Sequence, residues 1–201
     1  MKKIFALIVC MIGWFAIIAQ YYIMINTAAL SISETTIRFF SYFTILTHII
    51  VAVYFSNQLF RSERKVDSSF LTAVTVYILM VGIIYQVVLR SSWNPTGLQR
   101  WIDELLHGVI PLLTLIYWYF YENKSRLRHT SMIKWSIYPL VYLFYILIRG
   151  NFSGFYPYPF INVSEIGIEQ TLINSFYVLI FFIIVSGILI GIGKLSRHPK
   201  E

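Results

Sequence analysis

Four polar side chains recur inside an apolar stretch of this chain. In RFFSYFTILTH, Arg38 to His48, they are Ser41, Thr44, Thr47 and His48, three or four residues apart. That spacing predicts one face of a helix. A face of hydroxyls with an imidazole costs free energy in hydrocarbon, so it needs a purpose or a partner. The chemistry such groups suit is acyl transfer. A hydroxyl is a weak nucleophile at neutral pH, and an imidazole that takes its proton activates it. A second imidazole, His107, lies in DELLHGVIP, with Asp103 four residues and Glu104 three residues before it. Either carboxylate reaches it along one helical turn. A carboxylate on one ring nitrogen leaves the other as a base, which is half of a catalytic triad. Blander readings stand beside these. Hydroxyls in helices bond back to their own backbone. Acids in a first turn favour the helix dipole. His48 in a structural hydrogen bond, with a partner on the third or sixth span, needs no catalysis.

The elements that must position these groups are membrane spans. The chain has 201 residues, 58% of them hydrophobic and only 12% charged, with a mean hydropathy of +0.69. Soluble domains carry about twice that share of charge. Six apolar runs stand out, at Ile4–Ile25, Thr35–Ser56, Phe70–Val88, Leu105–Tyr121, Trp135–Ile148 and Thr171–Ile192. The expectation is an all-α polytopic membrane protein, with residues 1–201 forming one six-helix transmembrane domain. The first run is 22 residues, longer than a signal-peptide core of about 7–15, and is read as a retained span. The fifth is short for a span and should begin nearer Thr130. Further polar positions within the runs are Thr72, Thr75, Gln86, Pro111, Thr114, Asn174, Ser175 and Ser186. On span two, Phe39, Leu46 and Ile49 should face the lipid, opposite the hydroxyls. The single cysteine, Cys10, excludes an internal disulfide and a cysteine-based metal cluster, and no cofactor or metal is expected.

Charge sets the orientation. Of 16 Lys and Arg residues, twelve fall before span one, after span six, or between spans two and three and spans four and five. That bias places both termini in the cytoplasm. The +7 net charge is split into short clusters at span ends, so lipid rather than nucleic acid is the expected partner. His129 and His198 fall in these basic segments and need no other explanation. The outer loops run from Asn26 to Glu34, Ser91 to Glu104 and Gly150 to Gln170. The last carries FYPYPF, read either as an interfacial aromatic belt or as a lid over a cavity.

Three motifs together resemble a known family. They are RFFSYFTILTH in span two, ELLHGVIPLL at the start of span four, and YPLVYLFYILIRG with GFYPYPFINV around span five. Their order and spacing are similar to those of the six-span androgen-induced-protein family, including its bacterial members. Eukaryotic members are membrane threonine hydrolases that cleave fatty acid esters of hydroxy fatty acids. The resemblance implies Thr44 as nucleophile and His107 as base, acting on a long-chain lipid ester in a bacterial inner membrane. Ser41 is the alternative nucleophile, His48 and Asp103 are supporting groups, and Asn174 or Tyr156 would donate to the oxyanion.

Depth tests the pairing. Counted along a continuous helix from Thr35, Thr44 lies about 13 Å in, while His107 lies about 6 Å beyond Asp103. The offset of about 7 Å is the weak joint, and Ser41 matches His107 better on this count. Two other functions compete. Haem ligation by His48 and His107 meets an expected depth difference of about 14 Å. For a carrier or structural subunit, the runs lack the paired midplane Gly or Pro breaks common in transporters and an intramembrane acid for proton coupling.

Overall fold

A computed structural model of the chain describes residues 1–60, 68–124 and 127–195. Among these residues every regular element is a helix or helical turn. The elements are α1 (Lys2–Thr27), α2 (Ile32–Phe39), α3 (Phe43–Phe60), α4 (Ser68–Ile84), α5 (Gly97–Glu104), α6 (Ile110–Tyr121), α7 (Ser131–Ser153) and α8 (Val163–Leu195). A π turn (Tyr85–Leu89) and a 3-10 turn (Arg90–Ser92) extend α4, and a second π turn (Leu105–Val109) joins α5 to α6. Five helical stretches are long and apolar enough to cross a membrane: Lys2–Thr27, Phe43–Phe60, Ser69–Ser92, Ser131–Ser153 and Val163–Leu195. The fold is therefore all-α with membrane-spanning helices. The expected fourth run lies on the helical path of α5, its π turn and α6. The basic positions Arg61, Arg64, Lys65, Arg126, Arg197 and Lys200, and His198, fall outside the described residues.

Two expected elements change shape. Span two is not one helix from Thr35 to Ser56. It breaks at Phe40–Tyr42, between α2 and α3. Helix α2 is short and amphipathic, and Ser31 caps it by accepting the Glu34 N–H at 3.2 Å. Serine followed three residues later by glutamate is a helix-start signal that works independently of the apolar run. The expected loop from Ser91 to Glu104 likewise contains α5, also amphipathic. Phe39, expected to face lipid, is buried with Ile17, Ile45 and Ala52 and packed by Tyr21. The break turns it inward.

The chain divides into two compact units, Met1–Asn123 and Lys124–Glu201. In the first, α1 is the reference helix. Cys10 meets Ser56 at 3.2 Å, and Gly13 faces Ala52, so α3 runs antiparallel to α1. Phe5 packs on Tyr117 and Gln20 bonds Gln99 at 2.9 Å, so α5 and α6 also run antiparallel to α1. It follows that α3 and α6 are parallel to each other. Consecutive residues of α1 hold both amphipathic helices, since Tyr21 shares a 2.8 Å hydrogen bond with Thr36 on α2.

In the second unit, α7 begins at Ser131, close to the expected Thr130. Helix α8 is interrupted at Gly167, whose φ of 75° suits glycine and few other residues. His129 accepts a hydrogen bond from Lys194 at 2.7 Å and so has a partner beyond solvent. The FYPYPF segment folds onto its own unit. The Tyr156 ring lies where a side chain on Gly150 would sit, with an ideal Cβ only 2.1 Å from the ring. Gly150→Ala is therefore expected to displace the ring and destabilise the protein by about 2 kcal/mol. Thermal unfolding in detergent measures this, and an unchanged midpoint would contradict it.

Candidate active site

The side chains that matter lie in the first unit, where α4 and the α5–α6 path run antiparallel. The pairing reads like a zipper. Trp118 Nε1–H donates to Thr72 Oγ1 at 2.8 Å. Gly82 faces Pro111 and the His107 carbonyl, 3.3 and 3.1 Å from its ideal Cβ position. The Tyr85 hydroxyl donates to the Asp103 carboxylate. Arg90 pairs with Glu104 at 2.5 Å. Close helix approach at a small residue is the usual packing device within a membrane. Here Gly82 brings the π turn against α4.

That π turn has a local cause. The Ile110 N–H bonds the Leu105 carbonyl rather than that of Leu106. Pro111 has no N–H to offer the His107 carbonyl. The helix thus widens by one residue within LLHGVIP, and a second π turn begins at Tyr85 across from it. Isolated π turns are frequent at functional sites because they re-aim side chains without ending the helix.

His107 is held on one side only. Its Nδ1 lies 3.0 Å from the Asp103 carbonyl and 3.3 Å from Asp103 Oδ1. Both neighbours are acceptors, so Nδ1 carries the hydrogen and Nε2 carries the lone pair. Asp103, only 5% exposed, is therefore the carboxylate beside the imidazole. Glu104, the other candidate, turns to Arg90. The Tyr85 ring stacks on His107 with centroids 3.9 Å apart and planes 13° from parallel. The sequence reading missed Tyr85. One tyrosine among 15 carries no spacing signal, and its partners lie on another helix.

On α3, His48 is fully buried. Its Nδ1–H donates to the Thr44 carbonyl at 2.7 Å, one turn back on the same helix. Its ring also faces the Leu106 backbone and lies within electrostatic reach of His107. The expected partner on span three or six is thus replaced by the helix's own backbone and by the π turn. Nε2 forms no hydrogen bond of normal geometry. Thr44 is 9% exposed and Thr47 is fully buried. Ser41 lies in the break between α2 and α3 and donates to the Ile37 carbonyl at 2.7 Å. It does not share a helical face with Thr44, because no continuous helix joins them.

Contacts between α3 and the α5–α6 path give a second count of depth. Phe55 on α3 packs against Tyr117 on α6, with ring centroids 4.8 Å apart. Thr44 lies eleven residues before Phe55 and His107 ten before Tyr117 on the parallel path. On that count the two differ by about 1.5 Å, whereas the Leu106 backbone beside His48 sets His48, one turn past Thr44, level with the π turn and leaves Thr44 about 6 Å away along the helix. On either count His48 and His107 lie within about 4.5 Å of one level, well short of the expected 14 Å or so. The larger figure came from counting along an unbroken helix from Thr35. Among the described residues no three His, Cys, Asp or Glu side chains could hold one metal ion.

Asn174 and Tyr156 belong to the second unit. Asn174 donates to the Phe160 carbonyl at 3.0 Å and accepts from Gln170 at 2.9 Å. Both residues order the aromatic segment there.

Comparison with curated proteins and with solved structures returned no match. The sequence model of the FAR-17a/AIG1-like protein family matches residues 82–193, from the Gly82 contact through Tyr85, Asp103 and His107 to the last turns of α8. Thr44 and His48 precede the matched segment. The match covers more than half of the chain and agrees with the likeness carried by the span and loop motifs, so this protein belongs to the FAR-17a/AIG1-like family, the androgen-induced-protein family.

Proposed function

We propose that the protein is an integral-membrane hydrolase of lipid carboxylic esters, with Thr44 as nucleophile and His107 as general base. One observation carries the reading. Asp103 holds Nδ1 of His107 and Tyr85 covers its ring, which leaves Nε2 as the base, and the Phe55–Tyr117 ring pair packs the helix that carries Thr44 beside the path that carries His107. Family kinship adds the reaction class, because the eukaryotic members hydrolyse fatty acid esters of hydroxy fatty acids.

In the first half-reaction, Thr44 Oγ attacks the ester carbonyl and its proton passes to His107 Nε2. The tetrahedral intermediate collapses, the C–O bond to the alcohol breaks, and the alcohol leaves with that proton. In the second half, water attacks the acyl-threonine, again giving its proton to His107. The fatty acid departs and Thr44 Oγ is reprotonated. Asp103 holds the tautomer and stabilises the transient imidazolium. Both reacting groups sit within about two turns of an amphipathic helix, α2 or α5. That level suits a substrate whose tails stay in the leaflet and whose ester lies near the headgroups. The topology that goes with the reading has the α5–α6 path as the sixth crossing and both termini cytoplasmic, in a bacterial inner membrane.

The test uses purified protein in phosphatidylcholine vesicles and a fatty acid ester of a hydroxy fatty acid. Free acid should be released, and a quenched reaction should yield an acylated peptide containing Thr44 by mass spectrometry. A preparation that binds the ester yet releases no acid and shows no adduct would overturn the reading.

A further inference from the structure

We propose that Tyr85 is the positioning residue of the His107 base, an inference that rests on the hydrolase reading. The Tyr85 hydroxyl goes to Asp103 and not to the base nitrogen. The side chain acts on the ring that carries that nitrogen. Two contacts are made by one side chain. The phenol ring covers the imidazole at 3.9 Å and 13°, and the hydroxyl donates to Asp103. The Asp103 carboxylate is thus bound from both sides, by Tyr85 at Oδ2 and by the His107 side at Oδ1.

The need for this follows from the geometry of His107. Its Nδ1–H has a single well-aligned acceptor, the Asp103 carbonyl. An imidazole held by one hydrogen bond can still turn about its Cβ–Cγ bond. That rotation would change where Nε2 points. A flat ring stacked on one face blocks the rotation, because any large turn drives the imidazole edge into the phenol. Fixing a carboxylate on its far oxygen removes the second freedom, the tilt of Asp103 itself. Each member of a catalytic set needs such support to stay within about 0.5 Å of the productive geometry.

The folding of the chain around Tyr85 fits this use. Ordinary α-helical phase on either partner would carry the two rings apart. Each helix instead has one π turn at this level, one containing Tyr85 and one containing His107. Gly82, one turn earlier on α4, sets the spacing between the helices. Beyond it, the Arg90–Glu104 ion pair closes the zipper and occupies Glu104, so Asp103 alone meets the imidazole. A tyrosine needed merely to satisfy a buried acid would require the hydroxyl and not the parallel rings.

Tyr85→Phe keeps the stack and loses the hydrogen bond, and Tyr85→Leu loses both. The expected result is a kcat about tenfold lower for Tyr85→Phe and about 100-fold lower for Tyr85→Leu, with KM nearly constant. Nuclear magnetic resonance of protein carrying 15N-histidine reads the ring directly. Wild type and Tyr85→Phe should show a single Nδ1–H tautomer of His107 and ring protons shifted upfield by the stacked neighbour. Tyr85→Leu should lose both signs. Unshifted His107 signals in wild type, or wild-type kcat in Tyr85→Phe, would overturn the proposal. So would Tyr85→Leu with wild-type signals. Should Tyr85→Leu fail to fold, Tyr85→Phe and Tyr85→Trp, which both keep a ring, decide the matter by the same two readouts. The spectroscopy needs no substrate. Wild type with the stacked signature but no ester hydrolysis would sink the hydrolase reading and leave Tyr85's grip on His107 standing. Hydrolysis with unshifted His107 signals would do the reverse.

Discussion

Thr44→Ala should reduce ester hydrolysis by about 10⁴-fold or more, the scale seen when a catalytic hydroxyl is removed from an acyl-transfer set. Thr44→Ser should retain much of the activity, because the hydroxyl survives and only a methyl group is lost. The contrast separates a nucleophile from a packing residue. Thr44 is nearly buried, and a helix-packing threonine would be replaced by alanine with little effect on rate. The backbone contact that holds His48 comes from the Thr44 carbonyl, which both substitutions leave in place. Secondary structure by circular dichroism and the unfolding midpoint should therefore change little in either variant. Steady-state release of fatty acid and acyl-adduct formation are the measurements. Full activity in Thr44→Ala would remove Thr44 from the mechanism. If Ser41 were the nucleophile instead, Ser41→Ala would carry the loss.

His107→Ala should cost about 10²–10⁴-fold in kcat, the usual worth of a general base. The companion change, Asp103→Asn, should cost less, about 10–100-fold. The reason is the geometry of Nδ1. Its aligned acceptor is the Asp103 backbone carbonyl, which survives the substitution, whereas the carboxylate oxygen lies farther off at 3.3 Å. The tautomer is then held by the backbone, and what Asp103→Asn removes is mainly charge stabilisation of the imidazolium. A loss as large as that of His107→Ala would show that the carboxylate itself sets the tautomer. Equal activity in wild type and His107→Ala would remove the base and, with it, the proposed reaction.

Much of the architecture was legible in the residues. Low charge and long apolar runs require helices, because unpaired backbone groups cannot be left in hydrocarbon. His107 beside two acids announced an oriented imidazole, since i, i+3 and i, i+4 neighbours share a helical face. The failures cluster where apolarity does not distinguish a span from an interfacial segment. Thr35 to Phe40 is apolar enough to extend a run but amphipathic enough to lie flat. Ser31 and Glu34 carried the start signal of a separate helix, and they precede the run. The π turns were invisible for another reason. A one-residue widening changes no composition, and only Pro111 hints at it, through its missing N–H.

What the sequence by itself determined is an all-helical membrane protein with hydroxyls and two histidines inside it, and an acid within a turn of one of them. These follow from hydropathy and from helical spacing, which are local. The tertiary structure alone decided which acid meets His107, that Tyr85 stacks on it, and that His48 meets the π turn that carries His107. Those relations join α3, α4 and α6, whose registers are set by Gly82, by the Phe55–Tyr117 ring pair and by the break after Phe39. Contacts between helices depend on how far each slides along its neighbour, and no spacing within one helix encodes that distance.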